Sequence, residues 1–165
     1  MQLCNCKISE GVSFVKRKDM TIVKDNFSVS TDISRLDINV IHGFLSSSYW
    51  AENIPVETVR KSIEGSMCFG VYDKNRQIGF ARMITDKATF AYLADVFILE
   101  EYRGRGLSKW LMEIIMSSPE LQGLRRIMLA TRDAHGLYKK SGFTPLTQPN
   151  RWMQIHNPDI YKKAH

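Results

Sequence analysis

Two stretches of this chain hold residue types whose spacing could do chemistry. The first is Arg103-Gly104-Arg105-Gly106, placed where an apolar run from Tyr92 gives way to an amphipathic one reaching Met116. A strand that turns through glycines directly into a helix is a device for holding an anion. Glycines let backbone approach the ligand, and the first helical N–H groups, unpartnered within the helix, face it with the positive end of the helix dipole. The turn is neither a Walker loop, having no Gly-Lys-Ser/Thr, nor a dinucleotide fingerprint, since Lys109 stands three residues past Gly106. On its own it is also compatible with a solvated basic loop. Within the preceding run stands Asp95, a carboxylate among apolar neighbours, where an unpaired charge is costly. It must pair with a base such as Arg82 or Arg132, or face a cleft.

The second stretch is Leu129 to Leu146, LATRDAHGLYKKSGFTPL. It reads as a strand end, a short helix capped by Asp133 with Tyr138 near its middle, and Gly142-Phe143 leading into another strand. Here the chain resembles the GNAT superfamily of acyl-CoA N-acyltransferases. The family loop (Arg/Gln)-x-x-Gly-x-(Gly/Ala) is similar to Arg103-Gly104-Arg105-Gly106-Leu107-Ser108. Its Ala-x-x-Leu-Tyr-x-x-x-Gly-Phe pattern is matched by Ala134, Leu137, Tyr138, Gly142 and Phe143. The two motifs stand in the family order, about 35 residues apart, and the pattern extends from about residue 26 to 155.

The resemblance implies roles residue by residue. The amides of Arg103, Gly104, Arg105, Gly106, Leu107 and Ser108 would hold the pyrophosphate of acetyl-CoA, with the two arginines adding charge. Val96, Phe97 and Ile98 would bond the pantetheine arm through backbone, as an added strand does. A free N–H near Val96 would polarise the acyl carbonyl. Thr131 and Ala134 would line the cofactor, Thr131 standing where the family often has Asn. Tyr138 matches the position that protonates the leaving thiolate; helix pattern alone would make it a packing residue. Asp95 is carried as base or substrate anchor, with pairing as the alternative. Tyr92, on the opposite strand face under regular alternation, and Arg82 are acceptor-side candidates. Tyr49, Trp50 and Trp152 could wall an acceptor pocket or simply pack. Cys68 lacks the context of a nucleophile.

The elements that must position these groups follow from periodicity and punctuation. Phe27–Ser30 alternates as a strand. Thr31-Asp32 or Ser34 caps a helix bearing Leu36, Val40, Ile41, Phe44 and Leu45. Pro55 opens a second helix that closes at Gly65. Strands follow at Met67–Asp73, Gln77–Thr85 and Thr89–Leu99, an antiparallel meander. A helix at Leu107–Ser117 is ended by Pro119, and Arg126–Thr131 forms the next strand. Phe143–Leu146 and Trp152–Ile155 close the chain as two more strands. The fold class is α/β with a mixed sheet, and the strand–helix–strand passage through the glycine turn makes its flanking strands parallel.

With 165 residues, 44% of them hydrophobic, the chain can bury a core. Residues 20–165 read as one GNAT-like domain, and residues 1–19 as a tail that Met20 could replace as the natural start. No apolar run approaches the roughly 18 to 20 residues of a membrane span. Three cysteines suggest reduced thiols and a cytoplasmic setting, and Cys4 with Cys6 is too few for zinc, so no metal is expected. The formal charge of +6 suits an anionic cosubstrate.

The reading is an N-acetyltransferase using acetyl-CoA. A small-molecule or peptide amine would attack directly in a ternary complex, and the enzyme would act as monomer or homodimer. Nucleic acid is not an expected partner: outside the cofactor loop and the tail there is no Lys/Arg stripe with interleaved aromatics. The alternatives are a non-catalytic acyl-CoA-binding module, an acetyltransferase of toxin type acting on aminoacyl-tRNA, and a nucleic-acid-binding protein that takes no CoA.

Overall fold

The computed structural model describes residues 19–162. The expected tail, residues 1–19, lies outside them but for Asp19. A six-stranded sheet runs in chain order, from β1 (Thr21–Lys24) and β2 (Phe27–Ser30) through β3 (Met67–Asp73), β4 (Arg76–Thr85) and β5 (Phe90–Ile98) to β6 (Arg126–Met128). The first five pair antiparallel, while β5 and β6 pair parallel. Helices α1 (Ile38–Ser46) and α2 (Val56–Glu64) cover one face. Helix α3 (Leu107–Ser117) covers the other, and a short α4 (His135–Lys140) follows β6.

Each helix exists to bury one stripe. Leu107, Leu111, Met112, Ile114 and Ile115 of α3 are buried against Val71, Ala81, Met83, Ala91 and Leu93 of the sheet. Side chains of this kind contribute about 2 kcal/mol each on leaving water. A second core forms between α1, α2 and the opposite face, from Ile41, Leu45, Val59, Ile63, Cys68, Phe80 and Phe97.

Five expectations are corrected. The strand β1 was unforeseen; Val23 and its neighbours alternate weakly, and pairing with β2 through the Asp25-Asn26 turn makes the element. Helix α1 begins later than expected. Asp32 caps a single 3-10 turn at Ile33–Arg35, and the α1 cap is Asp37, whose carboxylate accepts from the N–H groups of Asn39 and Val40. Asp133 does not cap α4. Thr131 Oγ1 takes the Ala134 N–H at 3.0 Å instead, and β6 is shorter than expected at three residues. Finally, Phe143–Leu146 and Trp152–Ile155 are not strands. Pro145 removes a donor from the first, and among the described residues no strand pairs with the second.

Candidate active site

The strand pair β5/β6 opens the site. Its parallel register runs only from Phe90↔Arg126 to Tyr92↔Met128. Beyond that point β5 continues to Ile98 while the chain after β6 moves off through Ala130, and the two diverge. A cleft of about 800 Å³ lies in the gap, with Leu93 to Ile98 on one side and Ala130 to Ala134 on the other.

A bulge shapes the β5 wall. Register with β4 passes from Arg82↔Ala94 to Phe80↔Phe97, so Asp95 and Val96 face the single residue Ala81. Asp95 sits at φ 55°, in the left-handed region that non-glycine residues rarely enter. The extra residue slips the strand's alternation. Ala91 and Leu93 enter the main core before the bulge, and Val96 and Ile98 pack there after it. Tyr92 and Asp95, assigned to opposite faces by regular alternation, therefore both line the cleft.

The Asp95 carboxylate forms an ion pair with the Arg82 guanidinium, the two side chains 10% and 16% exposed. Its other oxygen accepts the Trp50 indole N–H at 3.3 Å. Arg82 also donates to Ser66 Oγ at 3.2 Å. Pairing and cleft-lining, posed as alternatives for Asp95, coexist. Arg132 is not its partner. That guanidinium lies over the Tyr49 ring, 3.8 Å from the centroid, while the Arg132 N–H donates to Tyr49 Oη at 3.2 Å. These two contacts tie the loop after α1 to the loop after β6. Phe44 stacks on Phe97 at 4.0 Å with the rings 8° from parallel.

Tyr138 lines the same cleft and is buried, 9% exposed. Its position follows from α4, which places Leu137, Tyr138 and Ala134 toward the core, with Phe143 edge-on to the phenol ring. Burial pushes the phenol up to about 12, with Tyr49 and Asp133 adding to the effect. The group therefore carries its proton throughout the neutral range. The one described cysteine, Cys68, is buried and likewise pushed up to about 12, chiefly by desolvation, which leaves it a thiol.

At the far end of β5 stands the glycine turn. Gly104 and Gly106 adopt φ 77° and 76°, and a Cβ built on either would meet nothing within 4 Å. Gly106 is the N-cap of α3 and no side chain caps it. The turn is thus open backbone at an uncapped helix start, which fits a phosphate group. Arg103 and Ser108 line the cleft, with Arg103 Nε donating to Ile98 O at 3.2 Å. Arg105 points elsewhere, over the Tyr102 ring at 5.2 Å, with Nη2 donating to Glu101 O.

Of the expected site residues, Tyr49, Trp50, Arg82, Tyr92, Asp95, Val96, Phe97, Ile98, Arg103, Ser108, Thr131, Ala134 and Tyr138 are brought to one cleft. Gly104, Arg105, Gly106 and Leu107 stand at its end, outside the lining. Trp152 does not join: it lies under the Arg126 guanidinium, 4.6 Å away, beside a separate cavity. Phe44 and Asp133 were missed as cleft residues. The aromatic at the α1 face next to Tyr49-Trp50 was the available signal for Phe44, but only the stacking on Phe97 reveals it. Among the described residues no cluster of His, Cys, Asp or Glu is placed to hold a metal, and no helix is long and apolar enough to cross a membrane.

Comparison with known proteins converges on one family. Residues 64–145 match the family model for an acetyltransferase (GNAT) domain. A Gibberella zeae protein classed as an acetyltransferase is 35% identical, over 75% of this chain and 82% of the relative. A crystal structure of a protein assigned to the GNAT acetyltransferases, from Xanthomonas campestris pv. campestris, is 53% identical and superposes with a TM-score of 0.81. It spans 83% of this chain and 97% of that one. A GNAT-family acetyltransferase from Elizabethkingia anophelis, solved with acetyl-CoA bound, shares the fold at 13% identity and a TM-score of 0.58, over 81% and 90% of the two chains.

Proposed function

The chain belongs to the GNAT family of acetyltransferases and is an acyltransferase; from this premise we propose that it moves an acetyl group from acetyl-CoA to a primary amine, by direct attack within a ternary complex. The observation that carries the reading is the buried Tyr138 phenol on the same cleft as the bulged strand at Asp95, with the open helix start at Gly106 at the cleft's end.

Acetyl-CoA supplies the thioester. The protein's residues then have distinct tasks. The Gly104–Ser108 backbone and Arg103 hold the pyrophosphate, by N–H groups aligned with the α3 dipole and by charge. The backbone of Val96 to Ile98, no longer paired to β6, bonds the pantetheine amides. The bulge leaves amide groups out of ladder register, where one can take the developing charge on the acyl oxygen. As the amine nitrogen bonds the acyl carbon and the C–S bond breaks, Tyr138 gives its proton to the departing sulfur and regains one from the ammonium through solvent.

Asp95 is engaged on both oxygens, by Arg82 and by Trp50. Its task is accordingly to fix the bulge and the aromatic wall and to present charge to the amine. Tyr49, Trp50 and Tyr92 line the acceptor end.

A thiol-release assay with acetyl-CoA against amino acids, polyamines, aminoglycosides and peptide amines tests the proposal. Release that depends on a primary amine supports it. Saturable acetyl-CoA binding with no release across the panel refutes it.

A further inference from the structure

Five charged side chains line the cleft: Arg82, Asp95, Arg103, Arg132 and Asp133. Three of them are committed. Arg82 and Asp95 neutralise one another, and Arg103 donates to Ile98 O at the end proposed for the pyrophosphate. The other two are opposite in sign, consecutive in the chain and exposed. Among the described residues neither the Arg132 guanidinium nor the Asp133 carboxylate makes a hydrogen bond or an ion pair. The Arg132 guanidinium lies on the Tyr49 ring, a cation–π contact that leaves its N–H donors unspent.

Both groups stand beside the reacting end. Asp133 and Tyr49 are near enough to the Tyr138 phenol for each to oppose its ionisation, and Arg132 rests on Tyr49. The wall there is aromatic and open: Tyr49 and Trp50 are 46% and 43% exposed. The Trp50 N–H is taken by Asp95, so the indole has only its apolar ring to offer a ligand. Tyr49, Trp50 and Arg132 also border an adjoining hollow of about 770 Å³, which gives room for a side chain beyond the charged pair.

We propose that the acceptor is a free α-amino acid with an apolar side chain, its carboxylate held by Arg132 and its ammonium by Asp133. The inference rests on the acetyl-transfer reading of the cleft and names the class of amine. An amine arrives at neutral pH as an ammonium, and Asp133 is the cleft carboxylate with both oxygens free to receive it. The planar guanidinium of arginine matches a carboxylate through two parallel N–H bonds. An α-amino acid carries both groups on one carbon. Consecutive residues, with Cα atoms about 3.8 Å apart, present both counter-charges from one short loop. The aromatic wall then takes the side chain. A polyamine or a peptide N-terminus supplies the ammonium without the adjacent carboxylate and leaves Arg132 unmatched.

Thiol release from acetyl-CoA by the full-length protein tests this with matched pairs: L-phenylalanine against phenethylamine, and L-leucine against isoamylamine. Each pair differs by the carboxylate alone. The expected kcat/KM is higher for the amino acid by about tenfold or more. Equal values, or release confined to amines without a carboxylate, overturn this inference and leave acetyl transfer standing; release with no amine at all refutes acetyl transfer as well. Arg132→Gln should bring the ratio within each pair toward one, and Arg132→Lys should keep part of it. A merely structural Arg132 would slow both amines together and leave the ratio unchanged, which overturns its assignment. Asp133→Asn should raise KM for L-phenylalanine about tenfold with a smaller change in kcat; an unchanged KM overturns the role of Asp133. One measurement needs no variant. 3-Phenylpropionate, which keeps the carboxylate and lacks the amine, should inhibit the wild type competitively against L-phenylalanine, and a lack of inhibition overturns the carboxylate site.

Discussion

Asp95, the residue of β5 in the left-handed region, holds its carboxylate against the Arg82 guanidinium on the neighbouring strand. The backbone irregularity and the ion pair are one device. The bulge brings an acidic side chain out of the core-facing series, and Arg82 makes its burial tolerable. Removing one partner of a buried pair leaves the other charge uncompensated. Arg82→Ala should therefore destabilise the fold by about 3 kcal/mol, measured by urea unfolding. Adding Asp95→Ala to it should recover part of the loss, the sign of coupling that a double-mutant cycle reads.

Gly106→Ala tests the far end of the cleft. A side chain at φ 76° costs about 1 kcal/mol and would intrude where the helix start is open. Affinity for acetyl-CoA, read by calorimetry, should fall about tenfold through loss of one charge-assisted hydrogen bond. Turnover at saturating acetyl-CoA should change little.

The phenols give a pH signature. Tyr138 and Tyr72 are both pushed up to about 12, mainly by burial. A group whose folded pKa lies above its unfolded value stabilises the fold below the unfolded pKa, and that contribution is lost as pH rises through the folded one. Stability from these residues should hold up to about pH 10 and decline from there toward pH 12. Thermal unfolding as a function of pH should show this alkaline slope, and Tyr138→Phe should make it shallower. The rate profile should have no descending limb from Tyr138 in the neutral range.

Much of this site could be read from residue order, because its two motifs are local: Arg103–Ser108 lies within one turn, and Ala134–Phe143 within one short helix and its exit. The meander was legible for the same reason, with strands separated by Asp-Lys and Asp-Lys-Asn turns. What escaped was set by long-range pairing. The bulge at Asp95 depends on how β5 registers with β4, so alternation alone put Tyr92 and Asp95 on opposite faces. Trp152 looked like a pocket wall by type, but its place is set by Arg126 on a strand over twenty residues away in sequence. β1 and the two missing C-terminal strands are the same lesson in both directions: a short extended stretch becomes a strand only when a neighbouring edge accepts it.

In the proposed reaction the buried Tyr138 hydroxyl delivers a proton to the leaving sulfur. The most direct measurement is single-turnover thiol release by Tyr138→Phe, with an amine that the wild type acetylates and with acetyl-CoA affinity determined in parallel. Turnover should be lower by about 10²-fold or more, with affinity near wild type. A Tyr138→Phe enzyme that releases thiol at the wild-type rate would contradict it.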